Sequence, residues 1–237
     1  MSEGGRTMTG TIKFRSDANA ELVAHMGTDE VVAQAARVST LGLDNDREKY
    51  RGLVRALMRD GHWSPFEHPH MTIAMRVPRF VRTQVLRHRS MTFSEFSLRY
   101  SRARTEFWVP AEDRPLVEVG KSLDYRREAG TGEQLATTLK HMRRAAESSW
   151  ARYEHLVDSV GVAKEVARAV LPDSIYTDLW VTGSLRSWIH FVGNRMDKHA
   201  QYEVQGLGAQ VAQIMREKFP VVTEAATEYA WKEENDG

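Results

Sequence analysis

The stretch from Arg87 to Tyr100 combines guanidinium, imidazole, hydroxyl and carboxylate side chains within fourteen positions. From Arg76 to Arg104 the chain holds eight arginines, no lysine and a single acid, Glu95, although the net charge of the whole chain is only +1. Arginine presents a planar fork of donors that binds a phosphate or a carbonyl edge with two hydrogen bonds, whereas lysine is a point charge. This stretch therefore predicts a site for a ligand that carries several negative charges.

A helix is predicted over Arg79–Arg89. Gln84, Arg87 and His88 stand at i, i+3 and i+4, so they would share one face of this helix while its apolar residues pack on the core. A basic face that only contacts solvent is the alternative interpretation. The next segment, Ser90–Arg99, adds hydroxyls, a carboxylate and an arginine without an apolar stripe, which predicts a loop that wraps a polar ligand.

The segment Gly61–His70 places His62, His68 and His70 within nine residues, which makes zinc one hypothesis. Its two prolines predict a loop, however, and neither a fourth ligand nor a helical His-x-x-x-His pair accompanies the histidines. The alternatives are that the histidines bind backbone groups, or that His62 and Trp63 offer flat faces to a planar ring. We expect no metal here.

A third group of cationic side chains lies nearer the C-terminal end. Arg186 and His190 are four residues apart, as are Arg195 and His199, so each pair would share a helix face. Arg168 precedes them in the chain. A single histidine is more often a structural residue than a ligand, but together these residues predict a second cationic face.

The elements that must position these groups are mainly helices with separated strands. Strands are predicted over Thr11–Arg15 and Met71–Val77. Further helices are predicted over Asp29–Ser39, Asp46–Asp60, Gly132–Val160, Ser184–Asn194 and Asp197–Phe219, and a surface excursion over Glu112–Thr131. This pattern indicates an α+β fold, an antiparallel sheet flanked by several helices, including two long helices in the C-terminal half. We expect one catalytic domain over residues 10–231, between a flexible tail at residues 1–9 and a polar tail at 232–237.

The composition restricts the function further. Hydrophobic residues make up 41% of the chain and include six Trp, so a substantial core can form. No run of 18 or more apolar residues is present, and the first residues lack the apolar core of a signal peptide, so we expect a cytoplasmic protein without a membrane partner. The cysteine count is zero, which excludes disulfides, thiolate metal sites and a cysteine nucleophile.

The sequence Arg87-His88-Arg89, followed after seven residues by Ser97, resembles the Arg-His-Arg-x7-Ser signature of the flavin-dependent thymidylate synthases. The similarity covers roughly residues 10–220 and extends to other blocks in the same order. These blocks are Ala35–Ser39, Ser64–His68, Gln84, Glu95, Arg99-Tyr100, Val170–Pro172, Tyr176-Thr177 and Arg195 with His199–Gln201 and Glu203.

The resemblance implies FAD as cofactor, dUMP as methyl acceptor, methylenetetrahydrofolate as one-carbon donor and NADPH as reductant of the flavin. It also implies a homotetramer with active sites at the subunit interfaces. This family does not attack uracil with a cysteine, which agrees with the absence of Cys from the chain.

Site roles follow from the resemblance residue by residue. For FAD it implies Ser39, Ser64, Glu67, Arg87, His88, Arg89, Ser184, Arg186, His190 and His199. For dUMP it implies Gln84, Arg87, Glu95, Ser97, Arg99, Arg168 and Arg195. Arg195 is the implied catalytic residue, because a cation beside uracil would stabilise the negative charge that develops on the ring. His62 would stack on the folate or nicotinamide ring, and Ser97 would bind rather than attack, since no nearby residue is an obvious base for it.

Two alternatives remain open. Phe93, Phe96 and Tyr100 lie among the arginines and could stack bases, as in a nucleic-acid-binding module. Such a module is expected to be basic overall, whereas this chain is nearly neutral, so we expect no nucleic-acid partner. The second alternative is a flavin enzyme of the same architecture that acts on another substrate.

Overall fold

The computed structural model describes residues 11–42, 49–121 and 124–231. The tails predicted at residues 1–9 and 232–237 lie outside these ranges, as does the start of the helix predicted at Asp46. Of the described residues, those at 11–17, 78–80 and 96–176 form one compact unit, and those at 18–77, 81–95 and 177–231 form a second. One catalytic domain over residues 10–231 stays a prediction.

The first unit is built on a long helix, α4 (Gly132–Glu154). Thr131 and Gln134 begin it with a capping box, in which each side chain accepts the backbone N–H of the other residue. The helix continues through one π-helical turn, His155–Ser159. The helix predicted over Gly132–Val160 is therefore confirmed in extent, although its last turn is widened.

The core of the first unit lies along one stripe of α4. Ala146, Trp150 and Tyr153 of this helix are at most 4% exposed, and they pack with Phe107 and Ile175. The remaining elements are β1 (Lys13–Arg15), β5 (Glu106–Trp108), β6 (Val117–Lys121), β7 (Asp124–Glu128), α5 (Lys164–Ala167) and a 3₁₀ turn (Arg168–Val170). β1 and β5 pair in parallel, and β6 and β7 pair antiparallel. The excursion predicted over Glu112–Thr131 thus contains a hairpin.

The second unit contains a four-stranded sheet in the order β2, β3, β8, β4. These strands are β2 (Asn19–Met26), β3 (His70–Pro78), β4 (Thr92–Glu95) and β8 (Tyr176–Ser184). β2 pairs antiparallel with β3, and β4 pairs antiparallel with β8. Side chains of β3 and β8 are hydrogen-bonded in the pairs Thr72–Thr182 and Arg76–Asp178. The residue number rises along β3 while it falls along β8, as in antiparallel pairing. The predicted antiparallel sheet is therefore confirmed.

Several helices accompany this sheet in the second unit. They are α1 (Asp29–Leu41), α2 (Tyr50–Arg59), α6 (Leu185–Met196), α7 (Tyr202–Lys218) and α8 (Pro220–Tyr229). Met71, Ile73 and Met75 of β3 point into the core, at most 2% exposed. Trp188 of α6 donates its indole N–H to the carbonyl of Met71 at 3.2 Å. The α+β class is confirmed, and α4 and α7 are the two long helices predicted in the C-terminal half.

Two predictions around the arginine-rich stretch are wrong. The helix there, α3, spans only Arg79–Val85, because the following residues turn back with hydrogen bonds between residues three apart. Within Ser90–Arg99, predicted as a loop, residues Thr92–Glu95 form β4. Three of its four side chains are polar, so the segment has no alternating apolar pattern that would predict a strand. Its extended conformation depends on pairing with β8.

The boundaries at the C-terminal end also differ from the prediction. The helix predicted over Asp197–Phe219 begins only at Tyr202, so Arg195 and His199 do not share a helix. Pro220 follows the end of α7 as predicted, but it also begins α8, which was not predicted. Within the described ranges, no helix is long and apolar enough to span a bilayer.

Candidate functional site

The residues of the turn that follows α3 differ in how far they are exposed to solvent. The backbone N–H of Arg87 bonds the carbonyl of Gln84 at 3.3 Å, and that of His88 bonds the carbonyl of Val85 at 3.2 Å. Arg87 is exposed as a result, whereas His88 is only 5% exposed. The prediction that Gln84, Arg87 and His88 share one helix face is therefore wrong, because the helix ends at Val85.

Arg195 is held by groups of this turn. Its Nε donates to Nε2 of His88 at 2.9 Å, and one of its terminal nitrogens donates to the backbone carbonyl of Gln84 at 3.0 Å. Because Nε2 of His88 accepts this hydrogen bond, the proton of the neutral ring is on Nδ1. We call Gln84, Arg87, His88 and Arg195 the Arg195 cluster.

The electrostatics of the cluster favour an anion. Burial, together with the nearby charges of Arg195 and His190, lowers the pKa of His88 from 6.5 to about 4, so the ring is neutral at pH 7. Burial also lowers the pKa of Arg195, and the nearby guanidinium of Arg87 adds to this effect. A half-buried arginine beside a second arginine, held by a neutral acceptor, would gain stabilisation from a negative charge.

A second network joins the Ser64–Glu67 turn to the start of α6. This turn is a 3₁₀ helix, and Glu67 accepts hydrogen bonds from the hydroxyl of Ser184 at 2.5 Å and the guanidinium of Arg186 at 3.0 Å. Ser184 caps α6, as predicted, by accepting the N–H of Ser187 at 3.3 Å. The hydroxyl of Ser187 contacts that of Ser90, directly after the Arg-His-Arg sequence, at 2.9 Å. Three of the predicted FAD residues, Glu67, Ser184 and Arg186, are thus in direct contact.

Glu95 is engaged within the second unit. Both Nε and a terminal nitrogen of Arg82 donate to one oxygen of its carboxylate, at 2.9 and 2.6 Å. The hydroxyl of Thr177 donates to the other oxygen at 3.1 Å. This predicted dUMP residue therefore fixes β4 to α3 and β8. The pairing with Arg82 could not be predicted from the sequence, because many arginines surround the same acid.

The other predicted dUMP residues lie in the first unit. Arg99 pairs with the carboxylate of Glu165 at 3.4 Å, and Arg168 donates to the backbone carbonyl of Glu165 at 3.3 Å. The hydroxyl of Ser97 accepts the N–H of Arg99 at 3.3 Å. Glu165, which the sequence did not single out, therefore connects two arginines that are far apart in the chain.

Several predicted residues lie on exposed surface of the second unit. Ser39, His62, Ser64, Arg89, His190 and His199 are exposed. His190 contacts the amide of Asn194, and the ring of His88 lies 5.7 Å from its ring. Ser39 bonds the carbonyl of Ala36 in its own helix at 3.0 Å.

The histidines of the Gly61–His70 segment do not converge. Nδ1 of His70 lies 3.0 Å from the carbonyl of His68, which matches the interpretation that these rings bind backbone groups. Across the described residues, no group of three or more His, Asp and Glu side chains is arranged to hold a metal ion.

Two exposed arginines in and next to the Arg195 cluster could donate hydrogen bonds to phosphate groups. The guanidiniums of Arg87 and Arg89 are exposed, and neither has a carboxylate partner in the part of the chain that the structure describes. Their forked donors suit the diphosphate of a dinucleotide and a nucleotide monophosphate. The arrangement can therefore bind phosphorylated ligands and place a cation beside a ring on which negative charge develops.

Comparison with known proteins gives consistent results. A family model described as "Thymidylate synthase complementing protein" matches residues 21–221. The flavin-dependent thymidylate synthase of Thermotoga neapolitana is 40% identical over 212 residues, which cover 90% of this chain and 92% of that protein. The enzyme of the same name from Streptomyces avermitilis is 38% identical over 213 residues, which cover 87% of this chain and 86% of the relative.

A solved structure has the same fold. The UMP/dUMP methylase PolB from Streptomyces cacaoi, bound with 5-Br dUMP, superposes with a TM-score of 0.87 at 38% sequence identity. The superposition covers 93% of this chain and 99% of that one. The same methylase bound with 5-Br UMP gives a TM-score of 0.86.

Proposed function

Because this chain belongs to the flavin-dependent thymidylate synthase family, we propose that it methylates dUMP to dTMP with a flavin and without a cysteine nucleophile. The chain contains no cysteine, so no thiolate is present to attack the uracil ring. The class of enzyme is that of a flavin-dependent methyltransferase.

The Arg195 cluster is the observation that carries this proposal. A thymidylate synthase must make C5 of uracil nucleophilic, and negative charge then develops on the ring. Arg195 is held by the neutral ring of His88 instead of a carboxylate, so its positive charge is not cancelled locally. A half-buried guanidinium of this kind stabilises an anionic ring more strongly than an arginine already paired with an acid.

The proposed flavin is FAD. Bound flavin supplies the redox chemistry that reduces the transferred carbon to a methyl group. Arg87 and Arg89 offer forked donors to its diphosphate, and the Glu67–Ser184–Arg186 network positions further polar groups on the same unit. The remaining proposed FAD residues are Ser39, Ser64, His88, His190 and His199.

The proposed dUMP residues are Gln84, Arg87, Glu95, Ser97, Arg99, Arg168 and Arg195. In this proposal the arginines orient the phosphate and Arg195 contacts the uracil. Glu95 acts through Arg82 and Thr177, because these side chains already occupy both of its oxygens. Ser97 binds and does not attack.

The co-substrates and the assembly complete the proposal. Methylenetetrahydrofolate would donate the carbon, NADPH would reduce the flavin, and the exposed ring of His62 would stack on the folate or nicotinamide ring. We further propose a homotetramer with active sites at subunit interfaces, located in the cytoplasm.

Flavin binding is the first test. Purified protein, alone or mixed with FAD, should show the absorbance of a bound flavin after gel filtration. With dUMP, methylenetetrahydrofolate, NADPH and FAD it should then form dTMP. A protein that binds no flavin would contradict the proposal as a whole.

A parallel assay with UMP separates the main alternative, since the solved relative is a UMP/dUMP methylase. Turnover of UMP but not dUMP would identify a flavin enzyme of the same architecture with another substrate. A flavoprotein that forms neither methylated product would also contradict the thymidylate synthase proposal.

A further inference from the structure

Three side chains of the second unit form a hydrogen-bonded relay that ends at Gln84. Nε2 of Gln84 donates to Oε1 of Gln201 at 2.5 Å, and Nε2 of Gln201 donates to Oε2 of Glu203 at 2.9 Å. Gln201 directly precedes α7, and Glu203 lies in its first turn. We call these three residues the Gln84 relay.

Glu203 fixes the direction of the relay. Its side chain is only 8% exposed, and one of its carboxylate oxygens accepts the N–H that Gln201 donates. Gln201 must therefore turn its NH₂ group towards Glu203, which leaves its carbonyl oxygen facing Gln84. Gln84 must in turn present its own NH₂ group.

We propose that Gln201 and Glu203 are positioning residues that hold Gln84 in one amide orientation for nucleotide binding. The inference rests on the proposed function, in which Gln84 contacts dUMP. One N–H of Gln84 is committed to the relay, so its carbonyl oxygen and one N–H remain for the ligand. Without the relay the amide turns freely, and binding must first order it.

The position of Gln84 explains why its orientation matters. Its backbone carbonyl accepts a hydrogen bond from Arg195, so the same residue supports the guanidinium proposed to contact uracil. The relay fixes the side chain of Gln84, and Arg195 contacts the main chain of the same residue. Gln84 is thus held at both ends by α6 and by the start of α7.

The kinetic test replaces the middle of the relay. Gln201→Met keeps the length of the side chain and removes both hydrogen bonds. We expect the KM for dUMP to rise roughly tenfold with kcat and bound flavin unchanged, because the contact acts equally in substrate and transition state. Gln213→Met is the matched control, since exposed Gln213 donates to Glu217 on the same helix at 3.0 Å and should keep wild-type kinetics.

A stability test does not depend on activity. Gln84→Glu places an acceptor against the carbonyl of Gln201 and should lower the melting temperature by about 3 °C, the shift expected for 1 kcal/mol in a chain of this size. Adding Glu203→Gln lets the whole relay reverse and should restore most of that loss. Glu203→Gln would also relieve repulsion between the carboxylates of Glu203 and the new Glu at position 84. Both substitutions are therefore repeated in the Gln201→Met background, where a rescue that passes through Gln201 should disappear.

The outcomes are distinguishable. If the wild-type protein forms no dTMP, the proposed function fails and the melting data alone decide on the relay. If the wild-type protein is active, an unchanged KM in folded Gln201→Met overturns the positioning role. A rescue that persists without Gln201 overturns the relay itself, because the coupling then does not pass through the amide. If Gln201→Met does not fold, the melting temperatures of the other variants decide. Shifts that simply add in the Gln84→Glu, Glu203→Gln double variant would then overturn the inference.

Discussion

Arg195 shows how the choice of a hydrogen-bond partner sets the reactivity of a charged side chain. A carboxylate partner would orient a guanidinium equally well but would cancel its charge. The neutral ring of His88 orients Arg195 at 2.9 Å and leaves the positive charge available. Burial of His88 supports this arrangement, because the lowered pKa of about 4 keeps the ring unprotonated well below pH 7.

The first prediction concerns the charge of Arg195. Arg195→Ala should lower kcat/KM for dUMP by roughly 100-fold, the usual cost of removing one donor that stabilises developing charge. Bound flavin should remain, and its absorbance after gel filtration measures this directly. Arg216→Ala, which removes an exposed arginine of α7, is the control and should behave as wild type. Wild-type kinetics in Arg195→Ala would refute the proposed contact with uracil.

The second prediction concerns pH and the pKa of His88. The unfolded chain binds a proton at His88 below pH 6.5, whereas the folded protein resists protonation until about pH 4. Between these values the unfolded state binds more protons, so stability falls as the pH falls. Urea unfolding should show a loss of about 2 kcal/mol from pH 6.5 to pH 4 that depends on His88.

The variant His88→Gln should flatten this part of the profile, since glutamine does not titrate. His155→Gln removes an exposed histidine and should keep the wild-type slope. Identical slopes in wild type and His88→Gln would show that the ring is protonated as easily in the folded protein as in the unfolded chain.

At the scale of elements, α8 depends on a residue from the other end of the chain. Asp29, the first residue of α1, is 4% exposed and accepts the N–H groups of Val221 and Val222 at 3.1 and 2.9 Å. It therefore caps α8 from outside that helix. Burial raises the pKa of Asp29, while the two backbone hydrogen bonds act in the opposite direction.

The third prediction removes this cap. Asp29→Ala leaves two buried N–H groups without a partner and should lower the free energy of unfolding by about 2 kcal/mol, measured by urea denaturation. Asp60→Ala is the matched control, because Asp60 is an exposed aspartate that follows α2 and pairs with its neighbour Arg59 without capping a buried N–H group. Equal stability of the two variants would show that water replaces the cap.

At the scale of the whole molecule, the proposed homotetramer gives the fourth prediction. Light scattering coupled to gel filtration should report a mass close to four times 27.0 kDa. Dilution series with and without FAD test whether the flavin stabilises the assembly, as expected if its site lies at an interface. A monomer under all conditions would contradict active sites formed between subunits.

The fold class and the family could be predicted from the amino-acid sequence alone. Long apolar stripes, such as Ala146, Trp150 and Tyr153 on α4, dictate a buried helix face, and the alternation in Met71–Val77 dictates a half-buried strand. The Arg-His-Arg-x7-Ser sequence indicated the family because it matches that family's signature in residue type and spacing. These features are local, so spacing along the chain is sufficient to find them.

The hydrogen-bond partners of these side chains could not be predicted before the fold was known. Arg82 with Glu95, Arg195 with His88 and Gln84 with Gln201 are separated by 13, 107 and 117 positions, and no periodicity links them. His88 lies 4.8 Å from the ring of Phe191 and bonds Arg195, both of α6, and its burial lowers its pKa. Burial and long-range hydrogen bonds depend on how distant segments pack, and packing is a property of the folded chain as a whole.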